Sequence, residues 1–100
     1  MKVVIFRNRL RDDAEGYGDT AVAMAALVAE QPGFVDVKTF TAEDGERVTL
    51  GYFEDLASLE SWGRVPEHRR AQECGREEFY SAFDLEVCDV LRSTRFRREG

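Results

Sequence analysis

A chain of 100 residues has room for a single domain, 1–100, and at that size folding buries only about two thirds of the unfolded surface. Its 43% apolar content suits a packed core and excludes a disordered tract. With 20 acidic against 14 basic side chains, the formal charge of −6 would repel a phosphate backbone, so no nucleic-acid partner is expected.

Lys2 to Leu10 alternates as a strand does, with Val4, Phe6, Asn8 and Leu10 on one face and Val3, Ile5, Arg7 and Arg9 on the other. Gly16 and Gly18 precede a helix over Thr20–Gln31, rich in Ala, Leu and Met, with Asp19 as its expected N-cap. Tyr17, Ala21, Met24, Leu27 and Val28 fall on one stripe, and Pro32-Gly33 ends the helix. Phe34–Thr41 is β-branched and aromatic and reads as the second strand. Asp44-Gly45 signals a hairpin into a third strand, Arg47–Glu54. Asp55 can cap a short helix, Leu56–Trp62, with Leu56, Leu59 and Trp62 on one side. Gly63 interrupts it, and Pro66 suits the first turn of a helix running to about Tyr80. Ser81–Phe96 reads as a long last strand, with Phe83, Leu85, Val87 and Leu91 on one face.

The order β-α-β-β-α-β predicts an α+β fold of ferredoxin-like type: an antiparallel sheet with helices on one face. The other sheet face is left open, and an open apolar face is usually covered by a partner. A last strand of that length could reach a twin subunit. The start Val3–Phe6 is too short for a secretory leader and runs into Arg7 and Arg9, and no apolar run approaches the ~20 residues that span a bilayer. A cytoplasmic protein with reduced thiols, not associated with membrane, is therefore expected. Cys74 and Cys88 match no metal spacing and read as packing residues, so no metal is expected. The Arg92–Arg98 segment reads as a solvated basic end.

His68 is the one histidine. On its helix it shares a face with Ala71, Gln72, Gly75 and Phe79, which points the imidazole toward the sheet. There it could act as a general base, ligate haem iron or bond a substrate; the alternative is a half-buried histidine satisfied by a carbonyl. Asn8, an amide on an apolar strand face, must find partners. Trp62 could stack on a flat ring or simply fill the core. Tyr52 and Tyr80 offer hydroxyls to a phenolic oxygen, or are rings with wet tips. Gln72 and Phe79 join Trp62 and Tyr52 as substrate-binding candidates; His68 and Asn8 are the catalytic ones. Arg76 reads as the holder of a carboxylate of the protein or of a partner subunit, with anion binding as the alternative, and Gly75 inside a helix as a place of close approach. No Gly-x-Gly-x-x-Gly and no phosphate-binding loop is present, so no nucleotide cofactor is indicated.

Four stretches together resemble the antibiotic-biosynthesis mono-oxygenase family of dimeric α/β barrels. They are Gln31-Pro32-Gly33-Phe34; Asp44-Gly45 with Tyr52-Phe53-Glu54; Leu59-Glu60-Ser61-Trp62; and His68 followed by Ala71-Gln72, Gly75-Arg76 and Phe79-Tyr80. The resemblance covers nearly the whole chain. It implies a homodimer with two sheets face to face and a pocket in each subunit between sheet and helices. Relatives include mono-oxygenases of aromatic compounds that need no cofactor, haem degraders and enzymes of small quinones. In the haem degraders an Asn of the first strand, a Trp and a His line the pocket; Asn8, Trp62 and His68 are candidates for those places. Trp62 and His68 stand closer in this sequence, with Gly63 and Pro66 between them. The leading expectation is a cofactor-independent mono-oxygenase of a small aromatic or quinol-like substrate. The alternatives are a haem-binding or haem-degrading protein and a non-enzymatic dimeric module for a small ligand.

Overall fold

The computed structural model describes residues 1–99. In chain order it forms β1 (Lys2–Leu10), α1 (Tyr17–Ala29), β2 (Phe34–Thr41), β3 (Arg47–Phe53), α2 (Leu56–Gly63), α3 (Pro66–Cys74), a π-helical turn (Gly75–Phe79) and β4 (Tyr80–Asp89). The four strands make one antiparallel sheet in the order β2-β3-β1-β4, the expected ferredoxin-like α+β architecture.

Register decides what each strand shows to the helices. Val4, Phe6 and Asn8 of β1 stand opposite Gly51, Thr49 and Arg47 of β3, and opposite Val87, Leu85 and Phe83 of β4. Residues directly opposite share a face, so these side chains lie together, with Val37 and Thr39 of β2. That is the helix-bearing face: most of these residues border the same cavity as residues of α1, α2 and α3. Val3, Ile5, Val48, Leu50 and Tyr52 occupy the reverse face.

The joints follow from local chemistry. Gly33 joins α1 to β2 with φ of 82°, a left-handed conformation that costs an L-residue about 1–2 kcal/mol. Asp55 caps α2: its Oδ1 accepts from Ser58 N and from Ser58 Oγ, each at 2.8 Å. Those bonds favour the ionised carboxylate and hold it below the usual carboxylate range. Pro66 sits in the first turn of α3, where its missing N–H costs nothing.

Several boundaries depart from expectation. Gly16, with φ of 84°, takes the N-cap place of α1; Asp19 lies inside the first turn, where its charge suits the helix dipole. Leu56 is 45% exposed, and α2 turns the half-buried Leu59 and Trp62 to the cavity without it. The helix expected to run to Tyr80 leaves the α form at Gly75 and closes through the π turn at Phe79. Arg11 holds that turn, its backbone N–H donating to Phe79 O at 2.7 Å and its Nη1 to Glu77 O at 3.0 Å. The last strand ends at Asp89, well short of Phe96. Its partner β1 begins at Lys2, opposite Asp89, and only Val90 N to Met1 O (3.0 Å) extends the ladder. Beyond that no strand among the described residues is there to pair with, and Leu91 and Phe96 are exposed.

Among the described residues Val28, Phe53 and Phe79 are the buried apolar side chains, a small core for a sheet with its helices. No helix among them is long and apolar enough to cross a membrane. A Cβ on Gly33 would collide with Ser58 Oγ, the hydroxyl engaged with Asp55. Gly33→Ala is therefore expected to lower unfolding free energy by about 2 kcal/mol or more in urea titrations. Gly18→Ala, in open space within α1, should be neutral or slightly stabilising in the same experiment.

Candidate active site

A cavity of about 540 Å³ separates the helices from the sheet. Small side chains on the sheet floor make the room: Val4, Thr49, Val37 and Thr39 surround Gly51. Met24 and Val28 of α1, Trp62 of α2 and His68 and Gln72 of α3 form the roof, and Arg76 of the π turn also lines it.

The break between α2 and α3 sets the histidine. Trp62 lies in the last turn of α2, where carbonyls have no helical partner. Its carbonyl accepts from Val65 N at 3.2 Å and from His68 Nδ1 at 3.0 Å. A carbonyl can only accept, so Nδ1 carries a hydrogen and, in the neutral ring, Nε2 keeps the lone pair. The imidazole also lies flat on the Trp62 indole, with ring centroids 4.0 Å apart and planes 14° apart. Burial lowers the pKa of His68 below its ordinary value, and the bond to Trp62 opposes that only in part. At neutral pH the ring is therefore an uncharged base with one orientation.

A second polar group sits by the sheet. The Arg47 guanidinium lies over the Tyr17 ring, 4.9 Å from its centroid. Tyr80 meets Tyr17 edge-on at 5.9 Å and Phe6 at 5.3 Å. Burial first, and the neighbouring Tyr17 second, push the Tyr80 hydroxyl upward, so it stays a protonated donor. Gly75 explains how Tyr80 fits: a Cβ there would stand 2.6 Å from Tyr80 Cε2. The close approach expected at Gly75 is thus to the protein's own tyrosine.

Of the candidates, His68, Trp62 and Gln72 line the cavity, as do Tyr80 and Arg76. Tyr52 does not: β3 points Gly51 and Phe53 into the helix-side layer, and alternation sends Tyr52 to the reverse face. Phe79 is 5% exposed and packed edge-on against Tyr17, because the π turn rotates it off the face that carries His68. Asn8 is 3% exposed, between Arg47 and Phe83 across its two strand partners. Its Oδ1 has no hydrogen-bond partner among the described residues, a costly state for a buried acceptor. Arg47 escaped the sequence reading altogether. The alternation Arg47-Thr49-Gly51-Phe53 would have found it once paired with Asn8 through the hairpin. Among the described residues no three His, Cys, Asp or Glu side chains converge, and both cysteines are free. His68 Nε2 is the atom available to an iron.

No family model matches the chain. Over 94 residues it is 34% identical to the protein named Uncharacterized protein YqjZ of Bacillus subtilis, covering 94% of this chain and 82% of that one. Its fold matches Rv0793 of Mycobacterium tuberculosis with TM-score 0.83 and 19% identity, over 94% of this chain and 98% of that one. It matches SnoaB of Streptomyces nogalater, a cofactor-independent oxygenase, with TM-score 0.78 and 15% identity over 92% and 94% of the two chains. A solved antibiotic biosynthesis monooxygenase gives TM-score 0.79 and 13% identity over 92% and 100%. The chain belongs to the same family as YqjZ, and its fold is that of the solved antibiotic biosynthesis monooxygenases. The fold is shared at low identity, so the side chains of the cavity, and not the sheet, must distinguish one protein's chemistry from another's.

As the one histidine, His68 gives a single imidazole titration by NMR. Its midpoint should lie below the ordinary 6.5. The unfolded chain then binds a proton that the folded chain resists, so stability should rise with pH between the lowered folded value and 6.5. His68→Gln should flatten that part of the stability profile. A midpoint at or above 6.5 would refute the burial argument.

Proposed function

We propose that this protein is a cofactor-independent mono-oxygenase of a small hydroxylated aromatic, and that it works as a homodimer. The observation that carries the activity is His68: a neutral imidazole with Nδ1 held by the Trp62 carbonyl and Nε2 free, in a largely apolar cavity. A base of lowered pKa in such a place can take the proton of a phenol. The electron-rich phenolate is then the reductant for molecular oxygen. For a hydroxyarene with a free para carbon, one oxygen atom enters the ring and the other leaves as water. The O–H and para C–H hydrogens go to that water, and the product is the para-quinone. The substrate supplies all four electrons, so no separate reductant is required. The protein contributes orientation, an aromatic wall at Trp62, a largely apolar cavity and the base. The likeness to SnoaB supports this chemistry, and a cavity left open, not filled by side chains, supports a ligand site over a purely structural module.

The dimer rests on the reverse face of the sheet. Val3, Ile5, Val48, Leu50 and Tyr52 form an apolar centre there, with Arg7–Glu46 (3.0 Å) and Arg9–Asp44 (2.8 Å) ion pairs beside it. A second copy of that face would cover it. Sedimentation velocity should show twice the chain mass, and Leu50→Asp should shift it to the monomer.

With 1-naphthol as substrate, an oxygen electrode should record one O2 consumed for each 1,4-naphthoquinone formed. His68→Gln should reduce the rate about 100-fold or more, the usual contribution of a positioned base. Absence of turnover across a panel of naphthols and hydroquinones would sink the assignment. The fixed Nδ1–H and free Nε2 are also what an axial haem ligand needs. A saturable Soret shift on adding haem, abolished by His68→Ala, would replace the oxygenase reading with a haem one.

A further inference from the structure

We infer that the cavity is an organic-anion site whose occupant is a flat aromatic carboxylate, its charged group held by Arg47. This deepens the reading above by naming the substrate class, and it rests on the same cavity being the binding site. The chain carries 20 acidic side chains, yet no Asp or Glu lines the cavity. Lys38 borders it, but its strand position faces the reverse side, where Nζ lies 5.5 Å over the Phe40 ring. The charges left at the cavity are those of Arg47 and Arg76.

Arg47 is the distinctive one. It is half-buried, and strand alternation fixes it on the cavity side of β3. Among the described residues it has neither an ion pair nor a side-chain hydrogen bond, and its guanidinium lies over the face of Tyr17. The acids nearest in sequence are already committed: Glu46 to Arg7 at 3.0 Å and Asp44 to Arg9 at 2.8 Å. Asn8 Oδ1, across the strand pair, could take one N–H but would leave the charge uncompensated. A half-buried guanidinium whose donors meet no protein acceptor is partly desolvated without compensation, and a carboxylate entering the cavity supplies the missing acceptors. The fork of N–H donors matches two carboxylate oxygens in one plane, which a single phenolate oxygen cannot use. Tyr80, beside Tyr17, adds an O–H that stays protonated. The rest of the cavity is mostly apolar and aromatic, with Thr39, Thr49 and Gln72 as its neutral polar groups, the Trp62–His68 stack on one side and Phe6 and Phe83 on the other. That wall suits a planar ring system.

Calorimetric titration with 2-naphthoate and its neutral isostere 2-naphthamide at pH 7.5 tests the assignment by binding alone. The acid should bind about tenfold or more tighter than the amide, the ordinary worth of a hydrogen-bonded charge pair. Arg47→Gln should abolish that preference while the amide still binds within about twofold, which also shows the cavity intact. Arg47→Lys, keeping charge but not the fork, should fall between. Equal binding of acid and amide, no binding of either, or an unchanged preference in Arg47→Gln overturns the proposal. If Arg47→Gln loses both probes, Arg47→Lys decides: a weakened acid with an unchanged amide supports it, and two unchanged affinities overturn it. Binding of 2-naphthol as tight as that of naphthoate would also overturn it, in favour of a phenolic oxygen. Oxygen uptake without acid preference removes only this inference, whereas acid preference without oxygen uptake removes only the oxygenase.

Discussion

The central position of β1 is the constraint on which the site depends. It pairs with β3 on one side and β4 on the other, so its alternation of faces is imposed on both neighbours. Val4 and Phe6 turn toward the helices, and with them Gly51, Thr49, Leu85 and Val87. A slip of one residue between β1 and β3 would bring Tyr52 and Val48 inward and send Arg47 outward. The sheet would lose its charged group and its small-residue floor together. The ion pairs Arg7–Glu46 and Arg9–Asp44, from the reverse side of β1 to the hairpin, hold the same register and occupy the acids that could otherwise neutralise Arg47.

Interruptions of the helical layer supply the chemistry. An unbroken helix would consume the Trp62 carbonyl in its own ladder. Because α2 stops at Gly63 and α3 starts at Pro66, that carbonyl accepts only a turn bond from Val65 N and stays open to His68, whose bond settles tautomer, orientation and the place of the lone pair. The second irregularity, the π turn after Gly75, brings the chain from helix to strand within a few residues and seats the Tyr80 ring against a position without a Cβ. π turns of this kind recur at functional sites, and here Arg76 of the turn lines the cavity.

Charge is distributed against the average of the chain. A protein with a formal charge of −6 excludes every carboxylate from its cavity and leaves two arginines there. The surface acids face water, where they cost little, and several are paired with surface arginines. The cavity therefore presents to an approaching ligand a sign opposite to that of the molecule as a whole. Net charge informs on solubility and on the improbability of nucleic-acid binding; the preference of a site is set by the few groups that alternation and burial bring into it.

Much of the fold was legible in the residues because it depends on local periodicity. The alternation of Lys2–Leu10, the β-branched and aromatic content of Phe34–Thr41, the stop at Pro32-Gly33 and the Asp55 cap are all short-range signals, and each appears where it was read; the strand read as Arg47–Glu54 ends one residue earlier, at Phe53. His68, Trp62 and Gln72 were legible as cavity residues for the same reason, since helical spacing alone sets their face. Tyr52 and Phe79 were misplaced because a strand face means nothing until its partner is known, and because a π turn shifts the helical period. The end of β4 at Asp89 likewise depends on where β1 begins, a fact about two distant segments. Composition and periodicity thus determine which elements form. Strand pairing, which joins Asn8 to Arg47 and leaves that arginine without an acid, belongs to the tertiary structure, because hydrogen-bonded register is a relation between segments and is written in neither one alone.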